Sequence, residues 1–279
     1  MKKILLLTDF SKNSINAMNY GLQLFQNEYC DFFVLNVQSS LSYATDDLMA
    51  SRPRESLYEV LIAENKQRLT SIVEGLKLNA NERLHRFKSI VDYDLFIDAI
   101  KQTIKKENID FVVMGTNGAS NLREAIMGSN ALKVLRFINC NTLVIPEGYQ
   151  YKKPKRFLLA LDVDDYADHK TVFDITELIQ KLDANINVVR IVSTNENVQS
   201  KIQLDKDLLL ELIHENKFTY RTVSNIPLSH ILVDEELAQD AHIITLVGQF
   251  KGLFNRLFSD ASKTNISKNM ILPLMIFHH

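Results

Sequence analysis

The chain has 279 residues, 46% of them hydrophobic and 24% charged, with a formal net charge of −2 at pH 7. That length suits two domains of ordinary size, and that composition is typical of a soluble globular protein. The near-neutral balance offers no basic surface for nucleic acid or an anionic membrane, and no apolar run approaches the roughly 20 residues that cross a bilayer.

The first residues, MKKILLLTDFSKN, contain an apolar core that stops at Thr8 and Asp9. This is short of the h-region of about 7–15 residues in a signal peptide, so KILLL (3–7) reads as a first strand. Ile15, Met18, Leu22 and Phe25 then share one helical face, with Ser11 and Ser14 as candidate N-caps. DFFVLNV (31–37) reads as a second strand. The polar stretch 38–55 after it is either a lid over a bound ligand or an ordinary surface loop. Leu57, Val60, Leu61, Leu69, Ile72, Val73 and Leu76 mark a long helix, and HRFKSIV (85–91) a third strand. Ile97, Ile100 and Ile104 mark a short helix, followed by FVVM (111–114). A last helix carries Leu132, Leu135 and Ile138, ahead of TLVI (142–145). Apolar strands alternating with helices imply βαβ units and a parallel sheet buried on both faces.

The unit then repeats. KKILLLTD (2–9) is echoed by KRFLLALD (155–162), DFVVMGTNG (110–118) by HIITLVGQF (242–250), and NTLVIP (141–146) by ILPLMIF (271–277). Three echoes in one order predict two copies of one α/β fold, each an open, mostly parallel five-stranded sheet flanked by helices. The copies span 1–148 and 154–279, joined by the polar segment Glu147–Pro154.

Ligands of open parallel sheets sit beyond the carboxyl ends of the strands, near the point where strand order reverses. Three of only eight glycines, Gly115, Gly118 and Gly128, fall within fourteen positions at one such end. Clustered glycine in a glycine-poor chain signals positive φ or a close approach. Gly128-Ser129 precedes a helix whose N-terminal amides and dipole suit a phosphate. Asp9, at a neighbouring strand end, is placed to accept hydrogen bonds from a ribose or to cap the first helix. Together these features describe a mononucleotide site.

The chain resembles a tandem universal stress protein over essentially its whole length. TDFS (8–11), LNV (35–37), MGTNG (114–118), LREAIMGS (122–129) and VIP (144–146) carry the likeness. The spacing Gly-x2-Gly-x9-Gly-Ser resembles the ATP-binding subclass of that family. The resemblance implies a Rossmann-like fold of the adenine nucleotide alpha hydrolase type. It also implies binding of ATP, AMP or ADP, with Mg2+ accompanying a triphosphate. The implied site comprises Thr8, Asp9, Val37, Met114, Gly115, Gly118, Gly128, Ser129 and Asn130. Within it Asp9 would contact the nucleoside, Val37 would meet adenine through its backbone, and Gly115 would lie by the ribose. Gly118, Gly128 and Ser129 would hold the phosphates. Two positions depart from the family: Gly-Ser-Asn-Ala (128–131) stands for Gly-Ser-Val-Thr, and Asn117 for a frequent histidine. In the second copy Asp162 matches Asp9 and Gly248 matches Gly115, but the next glycine is Gly252. Ser259-Asp260 or Ser262-Lys263 replaces the phosphate Gly-Ser, so the second motif reads as degenerate.

No residue reads as catalytic. A Walker lysine, a serine-rich pyrophosphatase loop and a histidine near Asp9 are all missing from the sequence. Arg123 and Glu124 fit a solvated pair better than a phosphate clamp. Cys30 and Cys140 form no metal pattern and read as buried free thiols, consistent with a reducing cytoplasm. His278 and His279 are set aside from the site. The expectation is a cytoplasmic stress-response protein in which nucleotide in the first copy sets conformation or partner choice. The family's pairing through last strands implies an internal pseudo-dimer, with a homodimer or a signalling protein as further partners. A slow ATPase and a nucleotide-free scaffold remain alternatives.

Overall fold

The computed structural model describes residues 1–38, 54–116, 128–163, 165, 168–193, 198–214, 217–224, 226–231, 240–248, 256–257 and 272–278. The first half contains β1 (Lys2–Leu7), α1 (Lys12–Leu24), β2 (Cys30–Val37), α2 (Arg54–Lys77), β3 (His85–Asp92), α3 (Phe96–Glu107), β4 (Phe111–Gly115), α4 (Ser129–Phe137) and β5 (Asn141–Ile145). The second contains β6 (Arg156–Leu161), α5 (His169–Leu182), β7 (Asn185–Val192), α6 (Val198–Leu212), β8 (Phe218–Ser224), α7 (Leu228–Ile231), β9 (Ile243–Val247) and β10 (Leu274–Phe277).

The two expected five-stranded sheets are fused into one of ten strands, ordered β3-β2-β1-β4-β5-β10-β9-β6-β7-β8. Every pairing is parallel except the central one, where β10 runs antiparallel to β5 with Met275 opposite Leu143. Each half has the same order, and the junction lies between the two apolar last strands. The physical reason is edge protection: a buried apolar strand cannot leave a row of backbone N–H and C=O groups unpaired.

Strand residues alternate between two buried layers. Ile4, Leu6 and Val113 face the layer under α1, α2 and α5, while Leu5, Leu7 and Met114 face the layer under α3 and α4. This two-sided burial explains the near-continuous apolar runs. α1 begins at Ser11, whose side chain caps the helix by accepting from the Ser14 amide. Ser14, the other candidate cap, lies inside the first turn and donates its hydroxyl to the Ser11 carbonyl. Gly21 lets α1 settle on β4, since a Cβ there would stand 3.2 Å from a Val113 methyl. Along α2, Leu69, Val73 and Leu76 are buried as expected. The side chains of Leu57, Val60 and Leu61 lie outside the described residues.

The segment between the halves is less polar in effect than its composition. Tyr149 and Tyr151 pack against the buried ring of Tyr20, at 6.1 and 5.1 Å between centroids. Gly148 turns with φ +74°, and Pro154 is buried. The connection is therefore fixed to α1 through aromatic contact.

Candidate functional site

In the first half strand order reverses at β1, which lies between β2 and β4. At the carboxyl ends of these strands a cavity of about 270 Å³ opens, just below the usual range of small-molecule sites. Eight of the nine sequence-predicted residues line it: Thr8, Asp9, Val37, Met114, Gly115, Gly128, Ser129 and Asn130. The ninth, Gly118, lies outside the described residues, as do Asn117, Arg123, Glu124 and the proposed lid within 38–55 apart from Gln38, Arg54 and Glu55.

The turn after β1 is held by its own side chains. Thr8 Oγ1 accepts from the Phe10 amide at 3.0 Å and shares a 2.9 Å hydrogen bond with Ser14 Oγ. Asp9 Oδ1 accepts from the Ser11 amide at 3.0 Å. The helix cap is thus Ser11 rather than Asp9, which forms the turn leading into the cap. Phe10 adopts φ +67°, uncommon for a non-glycine residue, and carries the Arg68 guanidinium 4.3 Å above its ring.

Asn36 secures this turn to β2 by donating Nδ2 to the Thr8 carbonyl at 2.8 Å, in a fully buried position. Asn36 lies within LNV (35–37), but that motif assigns it no role. A lone asparagine in the apolar run DFFVLNV was the available signal, since a buried amide must be satisfied. Phe96, Leu7, Thr116 and Ala131 also line the cavity without being expected there, as does Ser14, which the sequence marks only as a candidate N-cap. Phe96 had no distinguishing signal beyond opening an amphipathic helix.

The glycines separate into different roles. A Cβ on Gly115 would lie 2.7 Å from Asn13 Nδ2 and 3.2 Å from the Asn13 carbonyl oxygen. The close approach is to the first turn of α1, so protein packing alone requires glycine there. Gly128 has φ −59° and is the N-cap of α4, a conformation open to any residue. Neither glycine uses positive φ. The Gly128 amide donates to the Thr116 carbonyl at 2.6 Å, closing the insert back onto β4. That amide is therefore engaged within the protein, and any part Gly128 takes beside a phosphate rests on its missing Cβ. The first intrahelical donor of α4 is Leu132, bonded to the Gly128 carbonyl. The amides of Ser129, Asn130 and Ala131 precede it and have no intrahelical acceptor, as at any helix start.

The apolar wall of Leu7, Val37, Phe96 and Met114 faces this polar rim, and Asp9 is the acidic residue of the lining. Among the described residues no group of three or more His, Cys, Asp or Glu gathers as a metal site. Cys30 and Cys140 are buried free thiols, each pushed up to about 12 by burial.

Strand register revises the alignment of the second half. Ile4 pairs with Phe111, and its repeat partner Phe157 pairs with Ile243. Gly115 is therefore matched by Val247, and Gly248 by Thr116. The same hydrogen bond confirms the shift, from the Thr116 amide to the Ile145 carbonyl and from the Gly248 amide to the Phe277 carbonyl. Gly252, Ser259, Asp260, Ser262 and Lys263 lie outside the described residues.

Comparison with known proteins gives consistent results. The Universal stress protein family matches residues 1–146. Universal stress protein MJ0531 of Methanocaldococcus jannaschii is 27% identical over 158 residues, which is 56% of this chain and 84% of that protein. Universal stress protein YxiE of Bacillus subtilis is 24% identical over 145 residues, 51% of this chain and 97% of that protein. Among solved structures, a universal stress protein from Archaeoglobus fulgidus superposes with a TM-score of 0.71 at 17% identity, covering 99% of this chain and 98% of its own. At that identity the likeness concerns the fold. Among the described residues no helix is long and apolar enough to cross a membrane.

Proposed function

The chain belongs to the universal stress protein family, and from that premise we propose that its first half binds an adenine nucleotide. One observation carries this reading: eight residues of the expected nucleotide motif line one cavity at the switch point of the sheet. The apolar wall suits a base, with Val37 at the end of β2 forming part of it. Asp9 suits ribose hydroxyls, and the start of α4 suits phosphate. The departure at Asn130 leaves the backbone donors of that helix start unchanged. A magnesium ion would enter on the phosphates of a triphosphate and complete its shell with water.

Occupancy of this cavity sets the conformation of the β1–α1 turn and of the chain bordering it, and through them the choice of a cytoplasmic signalling partner. The protein is a nucleotide-dependent switch in a stress response. Its two halves, sharing one sheet, act as a built-in dimer.

The test is to denature purified protein and identify released nucleotide, then titrate the stripped protein with ATP and AMP. About one equivalent per chain, lost in Asp9→Ala, is expected. No released nucleotide and no heat of binding would refute the proposal and favour a nucleotide-free scaffold.

A further inference from the structure

The second half has the same switch point, at β6 between β7 and β9, and Asp162 stands there as Asp9 does beside β1. The Asp162 carboxylate is engaged by a cation. The Arg256 guanidinium reaches across, donating from Nη1 to Asp162 Oδ2 at 3.0 Å and from Nη2 to Asp165 Oδ1 at 2.6 Å. Both carboxylates are well shielded, with side-chain exposures of 15% and 3%. Charge-assisted bonds of this length, made by a rigid planar fork, are the strong kind.

The described residues of the turn are held in the same way. Asp165 Oδ2 accepts from the Asp162 amide at 2.8 Å, and Asp162 Oδ1 accepts from the Val163 amide at 2.8 Å. Arg190 donates Nη1 to the carbonyls of Asp162 and Asp165, at 2.7 and 2.9 Å. Lys201 donates to the Val163 carbonyl at 2.9 Å. Register equates Arg190 with Asn36, so the neutral amide that steadies the first turn is here a buried cation. Burial raises the Asp165 pKa, and Arg256 is the chief cationic side chain opposing that shift.

We infer that Arg256 is an internal ligand of the second cleft: its guanidinium occupies the hydrogen-bonding place on Asp162 that a nucleoside's ribose hydroxyls would take, and so confines nucleoside binding to the first half. This rests on the reading of the first cleft in its choice of ligand class. Val247, in place of Gly115, is not the obstacle, because its side chain joins the apolar layer beneath α5. The obstacle is the approach to the carboxylate. Asp162 Oδ2 keeps a second lone pair, but its side chain is only 15% exposed and the guanidinium already stands on it; the tethered group has no association entropy to lose.

Adenosine, which carries no phosphate to be repelled by the two aspartates, is the probe. Equilibrium dialysis would count bound adenosine for the full chain, Asp9→Ala, Arg256→Ala and the double variant, with Arg256→Gln as a milder change. One, zero, two and one equivalents are expected in that order, with the second site also present in Arg256→Gln. Two equivalents on the unaltered chain would overturn the inference. So would Arg256 variants that melt like the unaltered chain yet gain no site. Unfolding of both Arg256 variants would also overturn it, marking the clamp as purely structural. If the unaltered chain binds nothing while the double variant binds one equivalent, the proposed function fails, and Arg256 as the block on the second cleft stands.

Discussion

Replacing Gly115 with alanine tests how the first cleft is built. The added Cβ would stand 2.7 Å from Asn13 Nδ2, 3.0 Å from its Cγ and 3.2 Å from its backbone oxygen. The amide can rotate away, but the carbonyl belongs to the first turn of α1 and moves only with the helix. Asn13 is buried, so the turn has little free space to enter. Overpacking of this kind costs about 1–3 kcal/mol. For a chain of this size that is a fall in Tm of roughly 3–9 °C. The helix start also carries Ser11 and Ser14, which hold Thr8 and Asp9, so nucleotide affinity should fall with stability. Gly128→Ser is the control. With φ −59° and an N-cap position it should melt within about 0.5 kcal/mol of the unaltered chain, because serine is itself a good cap. Calorimetric melts with nucleotide titration on each variant are the assay. An unchanged Tm in Gly115→Ala would refute the account of that glycine as a packing requirement.

Two further outcomes follow from buried polar groups. Asp205→Ala strands the buried Arg190 cation, now paired at 2.6–2.9 Å, and should cost about 3–5 kcal/mol. Urea melts read this loss, and a change below about 1 kcal/mol would show the pair to be dispensable. His85 accepts from the Asn81 amide at Nδ1 and faces the Phe25 carbonyl with Nε2, an arrangement that requires the neutral ring. Burial depresses its pKa, so the unfolded chain takes up the proton first. The stability it contributes is complete above the ordinary histidine value of about 6.5 and is lost as pH falls through it. The drop in Tm between pH 7.5 and 5.5 should be smaller in His85→Gln, and an equal drop would contradict the assignment.

Much of this protein was legible in its sequence. Strands buried on both faces leave unbroken apolar runs, and KILLL, DFFVLNV and FVVM matched β1, β2 and β4 within a residue at each end. Helix spacing and Ser11 located α1 by the same local rules. Asp9, Gly115, Gly128 and Ser129, which line the cavity, stood out because backbone chemistry at strand ends and helix starts restricts residue types: glycine, a small hydroxyl, a short carboxylate. The purpose of each residue was a different matter. The sequence did not reveal that Gly115 answers to Asn13, that the Gly128 amide is spent on Thr116, or that Asn36 anchors Thr8. Each depends on two elements meeting in space.

The sequence by itself determined two copies of one α/β unit and the strand ends that border the first cavity, because periodicity and turn chemistry are properties of neighbours along the chain. Only the tertiary structure decided that the halves share one sheet through β5 and β10, and that register shifts Gly248 to the place of Thr116. It alone placed Arg256, 94 residues away in sequence, on the carboxylate of Asp162. Hydrogen bonds and ion pairs act over a few ångströms of space, and chain separation carries no record of them.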